Sequence, residues 1–358
     1  MWNENIGIKV KRLEIKQFRI FDNFTINFCD KNNTIQPLIV LAGINGTGKT
    51  TILETISMSY QKNTKLYLIE DGKEYSLDSI SKPNNTNIIK SGFSKENQNF
   101  SKSDADIYYY PVNIKMDDIK ELLPHYIDKL IYEEDIKASD VYQKLKDIIT
   151  NDIFNNLDLN IEFNNMDANK TLSFKTKMNN AIVNIDNLST GEKTIFTKIL
   201  HLYLSNIKNK IILIDEPELS LHPSWQNKVL KLYEDYALEN NCQIIIATHS
   251  PHIINSSKNE YLRILKFVQN KIEAIDDIIA YGRDIKWVLK EVMGIDFLRD
   301  IDIIERFNEI NELIIDRNFG QAENKLDNLE TIIGQNDKQI LSIRNEIEFE
   351  RLELEGDI

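Results

Sequence analysis

The chain has 358 residues, of which 42% are hydrophobic, and a formal net charge of −13. That length suits two or three domains of roughly 150 residues each around a substantial core. It contains no apolar run near the roughly 20 residues of a membrane span and no apolar signal core in MWNENIGIKVKR, so a soluble, cytoplasmic protein with no membrane partner is expected. The acidic balance excludes a protein coated in basic surface for nucleic acid, although 15 acidic and 6 basic side chains fall in residues 301–358, leaving only −4 on the first 300.

Residues 8–28 alternate apolar and polar at Leu13 and Ile15 and again at Phe24, Ile26 and Phe28, which predicts two short strands with a turn near Asp22 and Asn23. Arg19 lies between them, either as a phosphate or base contact or as an exposed turn arginine. Cys29 and Cys242 have no metal-type spacing and read as reduced core thiols.

The apolar run Leu38 to Leu41 reads as a buried strand, followed by GINGTGKTT from Gly43 to Thr51 and by Ile52, Leu53 and Ile56 at helical spacing. Strand, glycine loop and helix in that order fit G-x-x-x-x-G-K-[ST] at Gly43, Gly48, Lys49 and Thr50. Glycines let successive N–H groups converge on an anion, and a helix N-terminus adds partial positive charge. The candidate nucleotide-binding residues are therefore Gly43, Asn45, Gly46, Gly48, Lys49, Thr50 and Thr51. Lys49 would reach the β- and γ-phosphates of ATP and the Thr50 hydroxyl would bind Mg²⁺.

Residues 65–79 predict a hairpin turning at Asp71-Gly72, and the Ser-, Asn- and Lys-rich residues 81–103 a loop. A strand is predicted at Ile107 to Tyr110, helices between Asp117 and Phe154, and strands at Leu159 to Phe163 and Thr171 to Phe174. No heptad run is long enough for an extended coiled coil.

A second motif, Leu188-Ser189-Thr190-Gly191-Glu192, opens a helix with Ile195, Phe196, Ile199, Leu200 and Tyr203 on its inner side. Taken alone, LSTGE fits an ordinary capping box; Ser189 and Gly191 also stand where a helix start can meet an anion. A third motif is the apolar strand Ile211 to Ile214 with Asp215, Glu216 and Pro217. At the C-terminal edge of a parallel sheet, Asp215 can hold Mg²⁺ and Glu216 can deprotonate the attacking water. The fourth is the strand Gln243 to Ala247 ending in Thr248-His249-Ser250-Pro251, where His249 can hydrogen-bond a γ-phosphate. Each motif has a bland reading by itself, and the set is what carries the chemistry.

These four motifs, in this order, resemble ABC-type ATPases, and within them the branch of RecF, the SMC proteins and the OLD-like ATPases. The resemblance implies an α/β P-loop NTPase fold: an ABC/SMC-like head with an N-terminal antiparallel β-region, an inserted α+β lobe and a C-terminal helical tail. Its domains would be an ATPase core at 1–60 and 181–280, the inserted lobe at 61–180 and a partner-docking helical region at 281–358. His222 in PELSLHP, where transporter subunits carry an aspartate, favours the RecF/OLD branch. The resemblance also implies a Q-loop glutamine in the insert, for which Gln61 and Gln98 both stand open. It further implies a homodimer or higher oligomer in which ATP on Lys49 of one copy is closed off by Ser189 and Gly191 of another.

Residues 281–300 begin YGRD, and beyond them lie three helical stripes: Ile303, Ile304, Phe307, Ile310, Leu313 and Ile314; Ala322, Leu326, Leu329 and Ile333; Ile340, Ile343 and Ile347. Gly320 and Gly334 punctuate them. This end of the chain resembles the PtuA ATPases of Septu-type antiphage systems and their retron-associated relatives. The likeness implies an ATP-regulated subunit that gates a separate HNH nuclease (PtuB-like), with nucleic acid reached through the complex. A RecF- or SMC-like repair ATPase and an OLD-like nuclease are the competing readings. The latter needs an acidic Toprim domain, and Asp300 and Asp302 read instead as helix-start acids.

Overall fold

The computed structural model describes residues 2–58, 63–78, 106–112, 116–295 and 299–356, and the chain divides into two compact units, Met1–Gly294 and Ile295–Ile358. The strands of the first unit are β1 (Ile8–Phe18), β2 (Phe21–Asn27), β3 (Leu38–Gly43), β4 (Thr64–Glu70), β5 (Lys73–Asp78), β6 (Ile107–Tyr110), β7 (Ile161–Met166), β8 (Leu172–Thr176), β9 (Ile182–Asn184), β10 (Ile211–Asp215), β11 (Gln243–Ala247), β12 (Leu262–Val268) and β13 (Lys271–Ile275). Among the described residues they form sheets in the orders β2-β1-β4-β5, β13-β12-β3-β11-β10-β6 and β7-β8-β9.

The central sheet is parallel except for β13, which pairs antiparallel with β12. A parallel sheet is covered on both faces, so its strands read as continuous apolar runs rather than alternating ones. Here Leu38, Val40, Ile212, Ile214, Ile244 and Ile246 face one core, while Ile39, Leu41, Ile211, Leu213 and Ile245 face the other. The register sets Asp215 opposite Ala247 and Ala247 opposite Leu41, so β10 and β11 end at one level while β3 runs on to Gly43.

The first hairpin turns earlier than its alternation suggests. Phe18 pairs with Phe21, leaving Arg19 and Ile20 as the turn, with Arg19 in the left-handed region at φ 51°. Burial of Phe21 and Phe24, whose rings lie 4.4 Å apart, commits Asp22 and Asn23 to β2. The Asp71-Gly72 hairpin forms as expected between β4 and β5, but β4 also pairs with β1. With β6 at the edge of the central sheet, the interval 61–180 thus contributes to both larger sheets before the helices Met116–Asp128 and Ala138–Asp147 and the sheet β7-β8-β9 begin. β9 has only three residues, too few for a periodic signal. The loop expected at 81–103 lies outside the described residues. Cys29 and Cys242 are buried free thiols.

Residues 281–294, grouped with the helical tail by sequence, pack in the first unit. Val288 and Val292, one helical turn apart, join its core, and Gly282 N donates to Asn255 O at 2.8 Å. The second unit holds helices Ile301–Ile315, Phe319–Ile333 and Lys338–Glu355, and each predicted stripe supplies its core. Gly334 caps the middle helix at φ 91°, whereas Gly320 lies inside it; the preceding turn is made at Arg317, φ 59°, without a glycine. Among the described residues no helix is long and apolar enough to cross a membrane.

Leu326 is fully buried in this small core. Leu326→Ala should destabilise the second unit by about 2–5 kcal/mol, which hydrogen exchange on peptides from 301–356 will detect as lost protection.

Candidate functional site

The C-terminal ends of β3, β10 and β11 bring the phosphate loop, the two carboxylates and His249 to one edge of the sheet. Backbone bonds carry the ladder past the strands: Thr248 N donates to Leu41 O at 3.0 Å and Glu216 N to Ala247 O at 2.9 Å. The carboxylate turn and the histidine turn are thereby fixed on the strand that separates β10 from β3.

Gly43 to Gly48 form an open loop leading into the helix Lys49–Met58, with Asn45 and Gly46 exposed. At Gly48, φ +86° and a phenyl carbon of Phe21 only 2.5 Å from where a Cβ would stand leave no room for a side chain. Lys49 is 4% exposed, and its Nζ donates to Gly43 O at 2.9 Å and Ile44 O at 3.0 Å. Burial lowers its ammonium to about 8, opposed by the nearby charges of Glu216, Asp215 and Glu218. A buried cation folded onto its own loop, with only carbonyls as hydrogen-bond partners among the described residues, is primed for a stronger anionic one.

The Thr50 hydroxyl donates to Asp215 Oδ2 at 2.9 Å across a gap of 165 residues in sequence. Tyr109 OH, from β6, donates to the same oxygen at 3.3 Å. Burial raises the Asp215 carboxyl, with the bond from Thr50 opposing. Thr50 and Asp215 therefore present oxygen donors, the type that Mg²⁺ prefers. Glu216 follows in the left-handed region at φ 44°, a conformation costly for a residue with a Cβ, and lies 3.7 Å from His249 Nε2. Burial, and then the charge of Lys49, lowers the His249 imidazole.

Two groups hold this turn that the motifs did not announce. Lys198, 3% exposed, donates from Nζ to Asp215 O at 3.1 Å and Glu216 O at 2.6 Å, and burial lowers it to about 8. It belongs to the π-helical turn Phe196–Leu200 that continues the LSTGE helix. A lone lysine amid Ile195, Phe196, Ile199 and Leu200 was the available signal. Glu218, 9% exposed, braces the histidine turn, and its signal was a third carboxylate within four residues of Asp215. Tyr109 had none, since an aromatic in an apolar strand reads as core.

Arg19 comes to the flank of the phosphate-loop helix, donating to Glu54 Oε2 at 2.6 Å and to Thr51 Oγ1 at 3.2 Å. Ser189 and Gly191 are not joined to the phosphate loop by any hydrogen bond among the described residues. Ser189 forms the capping box with Glu192, its N–H donating to Glu192 Oε2 at 2.9 Å. A Cβ on Gly191 would lie 2.9 Å from the Trp225 indole and 3.0 Å from Ser220 O. His222 caps the helix Pro223–Asn240, and Asp300 caps Ile301–Ile315, accepting from Asp302 N at 2.9 Å. Gln61 and Gln98 lie outside the described residues.

Residues 100–255 match the family described as "AAA domain, putative AbiEii toxin, Type IV TA system". The Septu protein PtuA of Bacillus thuringiensis is 23% identical over 86% of this chain and 90% of its own. The retron Ec83 probable ATPase of Escherichia coli is 34% identical over 33% of this chain, which spans only 23% of that protein. Among solved structures, the SMC head domain from Thermotoga maritima is 16% identical over 76% of this chain and 100% of that one, with a TM-score of 0.46. The chain thus resembles PtuA, and its mostly parallel central sheet with the phosphate loop leading from β3 into a helix is that of an α/β P-loop fold.

Replacing Thr50 by valine removes one oxygen donor and leaves the loop glycines intact. The enhancement of nucleotide binding by Mg²⁺ should fall about tenfold or more, with binding in chelator unchanged, as titration of a fluorescent ATP analogue in the two conditions will show.

Proposed function

We propose that this chain is the ATP-binding and ATP-hydrolysing sensor and scaffold subunit of a bacterial antiphage complex, similar to Septu PtuA, in which it gates a separate HNH nuclease in the cytoplasm. The observation that carries the ATPase reading is the convergence of Lys49, Thr50, Asp215, Glu216 and His249 at the C-terminal ends of three parallel strands. Lys49 exchanges its two carbonyl partners for the β- and γ-phosphates of ATP. Thr50 and Asp215 would hold Mg²⁺, which would supply positive charge against the phosphates. Glu216 takes the proton from water as its oxygen bonds to the γ-phosphorus and the bond to the β,γ-bridging oxygen breaks, leaving with ADP. His249 orients Glu216 and donates to the γ-phosphate, and Arg19 reaches the nucleotide from the flank after parting from Glu54.

Ser189 and Gly191 of a second copy complete the site, so that ATP ties two copies together and hydrolysis releases them. The YGRD segment and the helical tail dock the nuclease. Support comes from the last helix: Leu341, Phe349 and Leu352 are 47%, 51% and 38% exposed on the side away from its packed Ile340, Ile343 and Ile347, with Glu346, Glu348 and Glu353 beside them. An apolar ridge flanked by carboxylates fits a partner segment that is apolar at its centre and basic at its margins. Nucleic acid is then reached through the complex.

Glu216→Gln should lower turnover about 100-fold or more while retaining ATP-bound association of copies, read by phosphate release and light scattering. Normal hydrolysis by that variant overturns the base assignment. Phe349→Asp with Leu352→Asp should abolish co-purification with an HNH nuclease encoded beside this chain and spare ATP hydrolysis. Metal-dependent DNA cleavage by the chain alone counts against the gating role.

A further inference from the structure

Glu218 is a buried carboxylate whose two oxygens are treated very differently. Oε1 accepts three bonds, from Thr248 Oγ1 at 2.7 Å, His249 N at 2.8 Å and Ser250 N at 3.1 Å. Oε2 is buried without a hydrogen-bond partner among the described residues. Burial pushes the carboxyl up from its usual range, so placing an acid here is unfavourable for stability. What it gains is specific, because its three donors are the consecutive residues that leave β11 and carry the imidazole toward Glu216.

The brace has a second arm on the other side of the same turn. Ser250 Oγ donates to Gln226 Oε1 at 2.6 Å, and Gln226 Nε2 donates to Leu221 O at 2.9 Å. Glu218 and Leu221 lie in the turn that follows β10 and Gln226 in the first turns of the helix Pro223–Asn240, so the histidine turn is clamped to the carboxylate turn and to the start of that helix. The contact of His249 with Glu216 is long, 3.7 Å, and among the described residues no hydrogen bond joins the two side chains. Its geometry depends on where the backbone of residues 248–250 is held.

We propose that Glu218 is the positioning residue for His249: its Oε1 gathers the three donors of the turn and sets the imidazole against Glu216 for hydrolysis. This rests on the reading of Glu216 and His249 as the hydrolytic pair. A glutamine keeps an acceptor oxygen in the same place and an alanine does not. Lys49 and the loop glycines have no hydrogen bond to Glu218 among the described residues, and the charge of Glu218 is the least of the three carboxylates acting on Lys49.

Steady-state ATP hydrolysis by the full chain tests this with Glu218→Ala, Glu218→Gln, His249→Ala and the double alanine variant. Glu218→Ala should lower kcat about tenfold or more with the KM for ATP unchanged, Glu218→Gln should recover most of the loss, and the double variant should be no slower than His249→Ala alone. Thr248→Val removes one of the three donors without touching the acid and should lower kcat in the same direction, which serves if the alanine variant does not fold. Full activity of Glu218→Ala, a glutamine variant as slow as the alanine one, or a further loss in the His249→Ala background each overturns the role of Glu218 alone. Absence of ATP hydrolysis by the wild-type chain overturns the hydrolytic pair and this role together.

Discussion

The bond from the Thr50 hydroxyl to the Asp215 carboxylate is the contact on which the rest of the first unit depends. Asp215 ends β10 and Thr50 stands in the first turn of the helix that follows β3, and these two strands are not neighbours, because β11 runs between them. The two groups meet only in this register of the three strands, and a slip of one residue would turn the apolar side chains of the slipped strand to the wrong face. The two apolar cores on either side of the sheet therefore set the register, and the register sets the site. Fold and chemistry are here one constraint.

That edge concentrates charge in an interior. Lys49, Lys198, Asp215 and Glu218 are each less than 10% exposed. Isolated charges at such depth are strongly disfavoured, whereas interleaved ones support each other, and removing one strands its partners. Lys198 and Glu218 each use main-chain groups, carbonyls for the lysine and N–H groups for the acid, so what they fix is backbone. The left-handed Glu216 sits between these two anchors, which accounts for how the turn keeps an unfavourable conformation.

The strands carrying Gly43, Asp215 and His249 were legible because a strand buried on both faces leaves a continuous apolar run that ends abruptly in chemistry. The tail was legible for the corresponding helical reason, in the spacing of Phe307, Leu326 and Ile343. Where reading failed, a local signal was overruled by packing: alternation placed the first turn at Asp22, but the buried pair Phe21 and Phe24 pulled it back to Arg19. Val288 and Val292 look like any helical stripe, and nothing in their own sequence says which unit they join. Lys198 and Glu218 act on backbone atoms of residues distant along the chain, and such contacts leave no periodic trace.

The LSTGE corner has its shape already in a single copy. Its serine closes a reciprocal cap with Glu192, and its glycine admits the edge of the Trp225 ring at a distance no side chain would allow. A surface formed in advance loses little conformational freedom when something settles against it, so more of each contact it makes survives as affinity. The same stiffness makes the corner intolerant: whatever meets it has to conform to the corner, since the corner has no slack with which to adapt.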